Sequence, residues 1–460
     1  MADPVNLVAI VLAAGQGKRM RSGLPKVLHR LAGRPLVQHV LDTVRGLGAS
    51  DTLVVVGYGA DRVRAETDAD VRWVLQDEQL GTGHAVAQAL PFVDENAITL
   101  VLYGDVPLIS ASTLSACAAA AGDGALAVVT AEVDDPAELG RIRRSAAGEI
   151  EAIVEFSDAS PEERTIREIN TGIMALRAGE LKELLAEVEP ANSQGEYYLT
   201  DVVSQAVARG IPVAGVRVSD PDEARGVNDR VELAALERIY QRREARRLLL
   251  GGAGMADPER VEIRGEVTAG EDCFIDINVV LAGRVKLGAG VRLGAGVVIE
   301  DSVLGDGVEV EPHTVVQGAK VAAGCRLGPF ARIRPGTELG EDVRIGNFVE
   351  TKKARLGRGT KASHLAYLGD AELGEECNVG AGTVTCNYDG ENKHRTEVGD
   401  DVFLGTNSSL VAPLEVESGA FIAAGSTITA KVERGELAVE RSKQRNIKGW
   451  TRPGRRKGKE

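Results

Sequence analysis

The sequence predicts two architectures in one chain, an α/β domain built on a parallel sheet and then a parallel β-helix. Two observations predict this. Short apolar runs alternate with helical patterns up to about residue 228, and from about Val261 an aliphatic residue recurs at every sixth position. The first pattern is typical of strands separated by helices, and the second of stacked triangular coils. The length of 460 residues leaves room for roughly three domains.

The first part contains four candidate strands. They are "LVAIVLAAG", "DTLVVVGYG", "AITLVLYGD" and "ALAVVTAEV", which are apolar without strict alternation and so are typical of strands buried on both faces. Helical patterns such as "PLVQHVLDTVRGLG" separate them. This alternation predicts a parallel sheet with helices on both faces, where ligands bind at the carboxyl ends of the strands. We place this domain at residues 1–228.

One long helix is predicted next, over "NDRVELAALERIYQRREARRLLLGG". Asn228 or Asp229 can cap its start, and Gly251 with Gly252 can end it. Its arginines and glutamates indicate a solvated face. We therefore interpret residues 229–251 as a connecting helix between the domains.

The aliphatic positions of the second domain recur at intervals of six residues. They are Val321, Leu327, Ile333, Leu339 and Ile345, and again Val398, Leu404, Leu410, Val416, Ile422 and Ile428. Each hexad predicts one flat side of a coil with its aliphatic residue inside. The 54 glycines fit this, because the corners need positive φ angles and close backbone approach. The β-helix is placed at residues 252–440.

Two segments depart from the six-residue period. The loop "CNYDGENKHRTEVG" interrupts it, and insertions into repeats often build a binding face. Residues 441–460 form a basic tail with no period, for which we expect a solvated and partly disordered end.

Composition excludes several classes of function. The formal net charge is −14 and aromatic residues make up 3% of the chain, which disfavours nucleic-acid binding and anionic membranes. The N-terminus lacks the basic segment of a signal peptide, and no apolar run is long enough for a membrane span. Five scattered cysteines without a CxxC pair indicate a reducing compartment and no zinc site. We expect a soluble cytoplasmic protein.

The loop after the first strand, "GQGKRM" at residues 15–20, favours phosphate binding. A dinucleotide fingerprint would need glycine or alanine where Met20 stands, and a P-loop would need a G-x-x-x-x-G-K run. Neither motif is present, and the segment is a glycine turn followed by cations. Its backbone N–H groups and cations can bind phosphate oxygens. The cations are Lys18, Arg19, Arg21 and Lys26.

Two further pieces of the first domain belong to the same edge of the sheet. Asp105 directly follows the strand that ends at Tyr103, and a carboxylate beside a phosphate-binding loop suits Mg²⁺. The alternative is that Asp105 only caps the next turn. In "LQDEQLGTGHA", Gln76 offers an amide edge to a base, and the glycine turn lets the backbone approach it.

A histidine is the first candidate for chemistry in the β-helix. His364 stands in "ASHLAYLGD" beside small residues and a tyrosine, where it would face outward, and histidine is the most accessible general base near neutral pH. We interpret His29, His39 and His84 as structural, while His313 falls at a corner and His394 in the interrupting loop. A β-helix can also be a scaffold alone, so the site and not the fold must decide.

Seven short motifs occur in order: "LAAGQGKRMRSGLPK", "QLGTGHA", "YGDVPL", "GRI", "IVEF", "NTGI" and "GVND". Together they resemble the Rossmann-like sugar-1-phosphate nucleotidyltransferases. With the hexapeptide β-helix behind them, nearly all of residues 5–445 resemble the bacterial family of bifunctional N-acetylglucosamine-1-phosphate uridyltransferase/glucosamine-1-phosphate acetyltransferases. This resemblance implies a left-handed β-helix.

For the first domain, the resemblance implies that UTP and N-acetylglucosamine 1-phosphate give UDP-N-acetylglucosamine and pyrophosphate. Asp105 and Asn228 would bind Mg²⁺, and Arg19 would be a catalytic cation for the leaving pyrophosphate. The substrate-binding residues would be Leu12, Ala13, Ala14, Gly15, Lys26, Gln76, Gly81, Thr82, Tyr103, Gly104, Asp105, Gly140, Glu155, Asn170 and Asn228.

For the second domain, it implies acetyl transfer from acetyl-CoA to glucosamine 1-phosphate, with His364 as the catalytic base. The sugar phosphate would be bound by Arg334, Lys352, Tyr367, Asn378, Asn387 and Tyr388, and acetyl-CoA by Ala381, Thr406, Ala424 and Arg441. Thr406 stands where the family has serine, and it keeps the hydroxyl. The family forms homotrimers through the β-helix, with acetyl-transfer sites between chains, and serves bacterial cell-envelope synthesis.

Two other hypotheses remain at this point. The chain could be a sugar-1-phosphate nucleotidyltransferase whose β-helix is structural or regulatory, but such a β-helix needs neither His364 nor the "CNYDG" loop. It could also be a noncatalytic nucleotide-sensing scaffold, which predicts the loss of Asp105 and Lys26, and both are present.

Overall fold

The computed structural model describes residues 6–67, 70–192 and 194–450. The chain forms two compact units that divide between Arg243 and Glu244. This division falls inside the segment 229–251 that the sequence predicts as a connecting helix. Residues 441–450 of the predicted tail are exposed and lack helix and strand, and the rest of that tail lies outside the described residues.

The first unit is built on one twisted sheet with helices on both faces. Its strands are β1 Leu7–Ala13, β2 Asp51–Val56, β3 Arg72–Leu75, β4 Ile98–Tyr103, β5 Leu126–Glu132, β6 Arg141–Arg144, β7 Ile150–Val154, β8 Glu168–Arg177 and β9 Val213–Arg217. Its helices are α1 Leu36–Gly46, α2 Ala60–Glu66, α3 Thr82–Ala89, α4 Ala111–Gly122, α5 Ala178–Leu185 and α6 Asp201–Ala208. Two buried apolar clusters lie on the two faces of the sheet. The four predicted strands are confirmed as β1, β2, β4 and β5.

The sheet is mixed, so the prediction of a parallel sheet is wrong in one part. The strand order is β9-β5-β8-β4-β1-β2-β3, and β8 runs antiparallel to both β4 and β5. The chain leaves β5 at its carboxyl end, forms the antiparallel β6–β7 hairpin, and starts β8 at Glu168, which puts Asn170 opposite Thr130. A strand that starts at that edge must run back through the sheet. As a result, Asn170 lies at the edge where ligands are expected.

The predicted long helix is confirmed as α7, Arg230–Leu250. Asp229 caps it, because Asp229 Oδ1 accepts hydrogen bonds from the backbone N–H groups of Val231 at 2.8 Å and Glu232 at 2.9 Å. Gly252 ends it with a φ of 95°. Of the two predicted caps, Asp229 therefore performs the capping, and the side chain of Asn228 remains available for another role.

The second unit is a parallel β-helix. One side is an 11-stranded sheet of Gly254–Met255, Phe274–Ile275, Arg292–Leu293, Glu309–Val310, Arg326–Leu327, Arg344–Asn347, Lys361–His364, Asn378–Val379, Phe403–Leu404, Phe421–Ile422 and Leu437–Ala438. A 17-stranded sheet forms the rest, with Val261–Ala269, Val279–Leu287, Val298–Glu300, Val303–Leu304, Val315–Gln317, Lys320–Val321, Arg332–Ile333, Glu338–Leu339, Glu350–Lys352, Arg355–Leu356, Tyr367–Gly369, Ala371–Leu373, Val384–Cys386, Thr396–Val398, Ser409–Val411, Leu414–Val416 and Thr427–Ile428.

The hexad prediction is confirmed by burial. All eleven predicted aliphatic positions are at most 5% exposed, and they belong to one continuous apolar cluster that fills the coils. The predicted interrupting loop leaves the coil between Cys386 and Thr396, with a short antiparallel contact between Tyr388 and Lys393.

Within the described ranges, no helix has both the length and the apolar character needed to cross a membrane. The five cysteines are free, and all but Cys386 are buried.

Candidate active sites

A cavity of about 340 Å³ opens at the carboxyl edge of the first unit's sheet, next to the ends of β1 and β4. Ten of the predicted substrate-binding residues line it: Leu12, Ala13, Ala14, Gly15, Lys26, Gln76, Gly81, Thr82, Tyr103 and Asp105. The turn after β1, the start of α3 and the turn after β4 are distant in sequence. The sheet brings them together because parallel strands end at one edge.

Three polar side chains meet at the rim of this cavity, which we call the nucleotide cavity after the ligand that its residues are predicted to bind. The Lys26 ammonium forms an ion pair with Asp105 Oδ2, and it lies 3.4 Å from Asn228 Oδ1, to which it donates. The segment before α7 is fixed here, because the Val227 N–H donates to the Asp105 carbonyl at 3.0 Å. The predicted pair Asp105 and Asn228 is thus assembled from positions 123 residues apart.

The oxygen atoms of this cluster are of the kind that binds Mg²⁺. One carboxylate oxygen and one amide oxygen converge on a single ammonium group, so a positive charge already occupies the place between them. Oxygen ligands of this kind suit Mg²⁺, which commonly takes one or two protein ligands and completes its shell with water and phosphate oxygens. No group of three or more His, Cys, Asp or Glu side chains suited to a metal occurs in the described part of the chain.

Gln76 and the glycine turn form the opposite wall of the nucleotide cavity. Gln76 is 3% exposed, and its Nε2 donates to the Gly81 carbonyl at 3.2 Å and lies 3.1 Å from His84 Nδ1. Gly81 has a φ of 109°, and a methyl group there would lie 2.6 Å from the Tyr197 carbonyl oxygen. Glycine is therefore required at this position by both conformation and space.

A second cavity, of about 450 Å³, adjoins the first and is lined by Tyr103, Glu155 and Asn170. Burial raises the pKa of Glu155, whose Oε1 accepts a hydrogen bond from Thr200 at 3.2 Å. Burial also raises the pKa of Tyr103. We call this the sugar cavity.

The remaining predicted glycines of the first unit support these walls. The Gly140 carbonyl accepts a hydrogen bond from the Asn170 N–H at 2.9 Å, and a methyl group on Gly140 would lie 3.3 Å from Glu155 Oε2. Gly104 N–H donates to the Leu12 carbonyl at 2.9 Å, which joins the two turns that flank the nucleotide cavity.

Arg19 is not among the residues that line either cavity. It lies exposed in the short helix Lys18–Met20, next to Met20, which is fully buried. The apolar cluster around Met20 fixes the base of this loop, and the Arg19 side chain extends into solvent. Its catalytic role stays a prediction.

In the second unit, His364 ends the strand Lys361–His364 and is exposed. Its Nδ1 lies 3.1 Å from Asn347 Oδ1, and the two residues are partners in adjacent coils. Sequence reasoning missed Asn347. The coil period could have found it, because it precedes His364 by one coil on the same side of the prism.

A cluster of cations lies on the adjoining side. Arg334 donates to Glu350 Oε1 at 2.6 Å. The pKa of Lys352 is lowered, chiefly by a hydrogen bond to Lys393 and by the charge of Lys393, and also by Arg334. The loop that interrupts the hexads thus adds Lys393 to the two predicted cations, a residue that sequence reasoning also missed.

The other predicted sugar-phosphate residues lie on the interrupting loop and on strands of both sheets. Asn387 is buried and donates to Asp370 Oδ2 at 2.5 Å, and Tyr388 is exposed on the loop. Tyr367 pairs with Glu350 in the next coil. Asn378 pairs with Lys361, on the same sheet as His364.

The four predicted acetyl-CoA residues form a column along one corner of the β-helix. The Asn407 N–H donates to the Ala381 carbonyl at 2.8 Å, and the Gly425 N–H donates to the Thr406 carbonyl at 2.8 Å, so that Ala381, Thr406 and Ala424 are stacked one coil apart. Arg441 donates to the Ala424 carbonyl at 2.7 Å. Thr406, Ala424 and Arg441 are exposed, and together the four residues form a continuous strip.

Three protein families match parts of the chain. Residues 9–171 match the MobA-like NTP transferase domain, residues 259–356 the GMPPB C-terminal domain, and residues 395–430 the hexapeptide repeat of succinyl-transferase. The first match covers β1 to the start of β8, and the other two lie in the β-helix.

Curated relatives match nearly the whole length. The Bifunctional protein GlmU of Marinobacter nauticus is 54% identical over 448 residues, 97% of this chain and 99% of the relative. The Bifunctional protein GlmU of Alkalilimnicola ehrlichii is 52% identical over 451 residues, 98% of this chain and 97% of the relative. Among solved structures, a UDP-glucose pyrophosphorylase complexed with UDP-glucose aligns with 51% of this chain and 98% of its own, at 19% identity and a TM-score of 0.44.

Proposed function

Because this chain belongs to the GlmU family of bifunctional enzymes, we propose that the two sites described above carry out its two reactions. The chain is both a uridyltransferase and an acetyltransferase. In the proposed order, the second domain acetylates glucosamine 1-phosphate with acetyl-CoA. The first domain then couples N-acetylglucosamine 1-phosphate to UTP, giving UDP-N-acetylglucosamine and pyrophosphate for the bacterial cell envelope.

The observation that carries the uridyltransferase assignment is the meeting of Lys26, Asp105 and Asn228 at the rim of the nucleotide cavity. A phosphate oxygen of the sugar phosphate attacks the α-phosphorus of UTP, and pyrophosphate leaves. This transfer needs no protein nucleophile, so the residues act by positioning and by neutralising charge. Lys26 binds phosphate oxygens, Gln76 and the turn at Gly81 hold the base, and Glu155 with Asn170 holds the sugar.

Asp105 and Asn228 would hold Mg²⁺, which supplies positive charge to the phosphate oxygens when it is bound. With that charge at Asp105, Lys26 would no longer be needed as its ion-pair partner and would be available to the substrate phosphates. Arg19 faces solvent beside the nucleotide loop and is proposed to bind the leaving pyrophosphate.

In the second domain, His364 is proposed as the general base. With the proton on Nδ1 donated to Asn347 Oδ1, His364 Nε2 keeps a free lone pair. That nitrogen takes a proton from the amine of glucosamine 1-phosphate as the amine attacks the thioester carbonyl. The C–S bond then breaks and free coenzyme A leaves as the thiol. Arg334, Lys352 and Lys393 bind the sugar phosphate, while Tyr367, Asn378, Asn387 and Tyr388 orient the sugar.

We propose that acetyl-CoA lies along the column of Ala381, Thr406, Ala424 and Arg441. Small residues leave room at the corner for an extended ligand, and the Arg441 guanidinium stands at one end for a phosphate of coenzyme A. A hydroxyl at Thr406 is retained for a hydrogen bond.

A homotrimer through the β-helix is part of this proposal. Its support is an exposed apolar ladder on one corner, formed by His313, Phe330, Phe348 and Leu365. The rings of His313 and Phe330 stack at 5.2 Å, and those of Phe330 and Phe348 at 5.7 Å. Phe348 is 58% exposed and Leu365 60% exposed, and Leu365 directly follows His364. A second copy covering this ladder would also close the acetyl-transfer site.

We also propose that the protein is cytoplasmic. Its proposed divisions are the first domain at residues 1–228, the connecting helix at 229–251, the β-helix at 252–440 and the basic tail at 441–460. Free cysteines suit a reducing compartment. The substrates, with UTP and acetyl-CoA among them, are small soluble molecules, and neither nucleic acid nor membrane insertion is required.

A two-assay experiment on purified protein and its His364→Ala variant tests the assignment. Free thiol is followed with glucosamine 1-phosphate and acetyl-CoA, and pyrophosphate is followed with UTP, Mg²⁺ and N-acetylglucosamine 1-phosphate. We expect the variant to lose thiol release, by at least about a hundredfold for a general base, and to keep pyrophosphate release. Lys361→Ala, at an exposed position that begins the strand of His364, is the control and should keep both. Wild-type protein that releases pyrophosphate but never thiol would make the β-helix a scaffold.

A further inference from the structure

Glu196 occupies the junction between the nucleotide cavity and the sugar cavity. It lines both, as do Thr82 and Tyr103. Those two residues are among the predicted substrate-binding residues, and Glu196 is not. A side chain at this junction can contact the group through which the nucleotide and the sugar phosphate become joined, or the hydroxyls on either side of it.

The backbone around Glu196 is fixed to the glycine turn of the nucleotide cavity. Tyr197 N–H donates to the Leu80 carbonyl at 2.9 Å, and the Tyr197 carbonyl accepts from Gly83 N–H at 2.8 Å. A methyl group on Gly81 would lie 3.0 Å from Glu196 Cβ. On its other side, Asn192 Oδ1 accepts from Glu196 N–H at 3.2 Å, and Asn192 Nδ2 donates to the Glu196 carbonyl at 2.5 Å. The Glu196 side chain therefore projects from a backbone that is fixed by hydrogen bonds on both sides.

The carboxylate of Glu196 differs in its partners from those of Asp105 and Glu155, while the carboxylate of Glu138, which lines the sugar cavity alone, has no hydrogen-bond or ion-pair partner among the described residues either. Asp105 is paired with Lys26, and Glu155 accepts a hydrogen bond from Thr200. Over residues 6–67, 70–192 and 194–450, no hydrogen bond or ion pair reaches the Glu196 carboxylate. It is half-buried and lines both cavities, so its oxygens can accept hydrogen bonds from a ligand at the junction. A carboxylate oxygen can only accept, which selects a ligand group that donates.

We propose that Glu196 is a further substrate-binding residue of the uridyltransferase, whose carboxylate accepts hydrogen bonds from hydroxyl groups of the bound substrates. The inference rests on the proposed function of the first domain. Phosphate oxygens have no hydrogen to donate and repel a carboxylate, whereas hydroxyl groups donate. Both the ribose of UTP and the hexose of the sugar phosphate carry such groups, and the junction borders both.

The test uses full-length protein and the variants Glu196→Ala and Glu196→Gln, with Glu189→Gln as a control on an exposed glutamate outside the two cavities. KM and kcat for pyrophosphate release are measured with UTP, with 2′-deoxy- and 3′-deoxy-UTP, and with N-acetylglucosamine 1-phosphate and its deoxy analogues. Thiol release from acetyl-CoA reports that the chain is folded.

We expect Glu196→Ala to raise KM for one substrate by about tenfold or more, as for a lost hydrogen bond to a charged group, and to change kcat little. Glu196→Gln keeps an acceptor and should lose less. The decisive result is that wild-type protein discriminates against one deoxy analogue and the alanine variant no longer does. A deoxy-UTP assigns the ribose, and a deoxy sugar phosphate assigns the hexose.

Three outcomes would overturn the inference. These are unchanged KM values in Glu196→Ala, a fall in kcat alone, or a raised KM with the discrimination against every deoxy analogue intact. Failure of the proposed function is distinguishable, because wild-type protein would then release no pyrophosphate from any of these substrates.

Discussion

The pKa of Lys352 depends on Lys393, which is 41 positions away in the sequence. Its pKa is lowered because Lys393 lies against it and Arg334 is close, while Asp370 acts in the opposite direction. Lys352 and Lys393 repel each other, and a phosphate bound by both would offset this repulsion. This arrangement supports the sugar-phosphate site that we propose.

The lowered pKa of Lys352 predicts a pH dependence of ligand binding. Lys352 loses its charge as the pH rises through its lowered pKa, so affinity for a phosphate should fall at a lower pH than an isolated lysine would allow. The probe is glucose 1-phosphate, which lacks the reacting amine, and its dissociation constant is measured by calorimetry from about pH 7 to pH 10. Lys393→Met should weaken binding and shift the fall to higher pH.

Lys361→Met is the matched control, because Lys361 is exposed on the sheet that carries His364. We expect it to leave the pH of half-maximal affinity unchanged. If Lys393→Met shows the same midpoint as wild type, Lys393 does not control the charge of Lys352.

Helix α7 shows how an element places a ligand. Its cap is Asp229. Glu232 in its first turn also contacts the residue before the cap, since Glu232 Oε2 accepts a hydrogen bond from Asn228 N–H at 2.5 Å. These contacts fix the backbone of Asn228 and leave its side-chain oxygen beside Lys26. The start of a helix is thus used to hold one of the two proposed Mg²⁺ ligands.

Removing this cap should affect metal use as well as stability. Asp229→Ala is expected to cost about 1 kcal/mol of unfolding free energy and to raise the Mg²⁺ concentration that gives half-maximal pyrophosphate release. Ser110→Ala removes the cap of α4, where Ser110 Oγ accepts from Thr113 N–H. It should cost a similar free energy and leave the Mg²⁺ requirement unchanged. Equal Mg²⁺ curves for the two variants would show that the cap does not position Asn228.

At the scale of the whole molecule, the exposed ladder predicts assembly. Phe348→Lys places a charge in the middle of the stacked rings, so we expect light scattering to show a shift from the mass of three chains to that of one. Thiol release should fall sharply, because the acetyl-transfer site loses its partner wall, and pyrophosphate release should persist.

Phe92→Lys is the control for that experiment, since Phe92 is 54% exposed in the first unit. It should leave the mass unchanged. A wild-type protein that runs as a single chain and still releases thiol at full rate would refute the proposed trimer and the shared site.

The elements with a strong hydrophobic period follow from the residues alone. An aliphatic residue at every sixth position can be buried in one regular way, so the β-helix and its core followed from the pattern, and all eleven positions are buried. The motifs likewise pointed to ten of the fourteen residues that line the nucleotide cavity. The direction of β8 was not predictable, since a strand's residues do not record which way the chain enters the sheet.

Which distant groups meet could be read only from the folded chain. Asp229 rather than Asn228 caps α7, Lys393 joins Lys352, Asn347 lies against His364, and Glu196 stands between two cavities. The coil period points to Asn347 and the cap rule allows Asp229, but the places of Lys393 and Glu196 have no signature in local composition. These relations arise because a sheet edge, a loop and a coil corner bring distant residues within hydrogen-bonding distance, and that distance is a property of the folded chain.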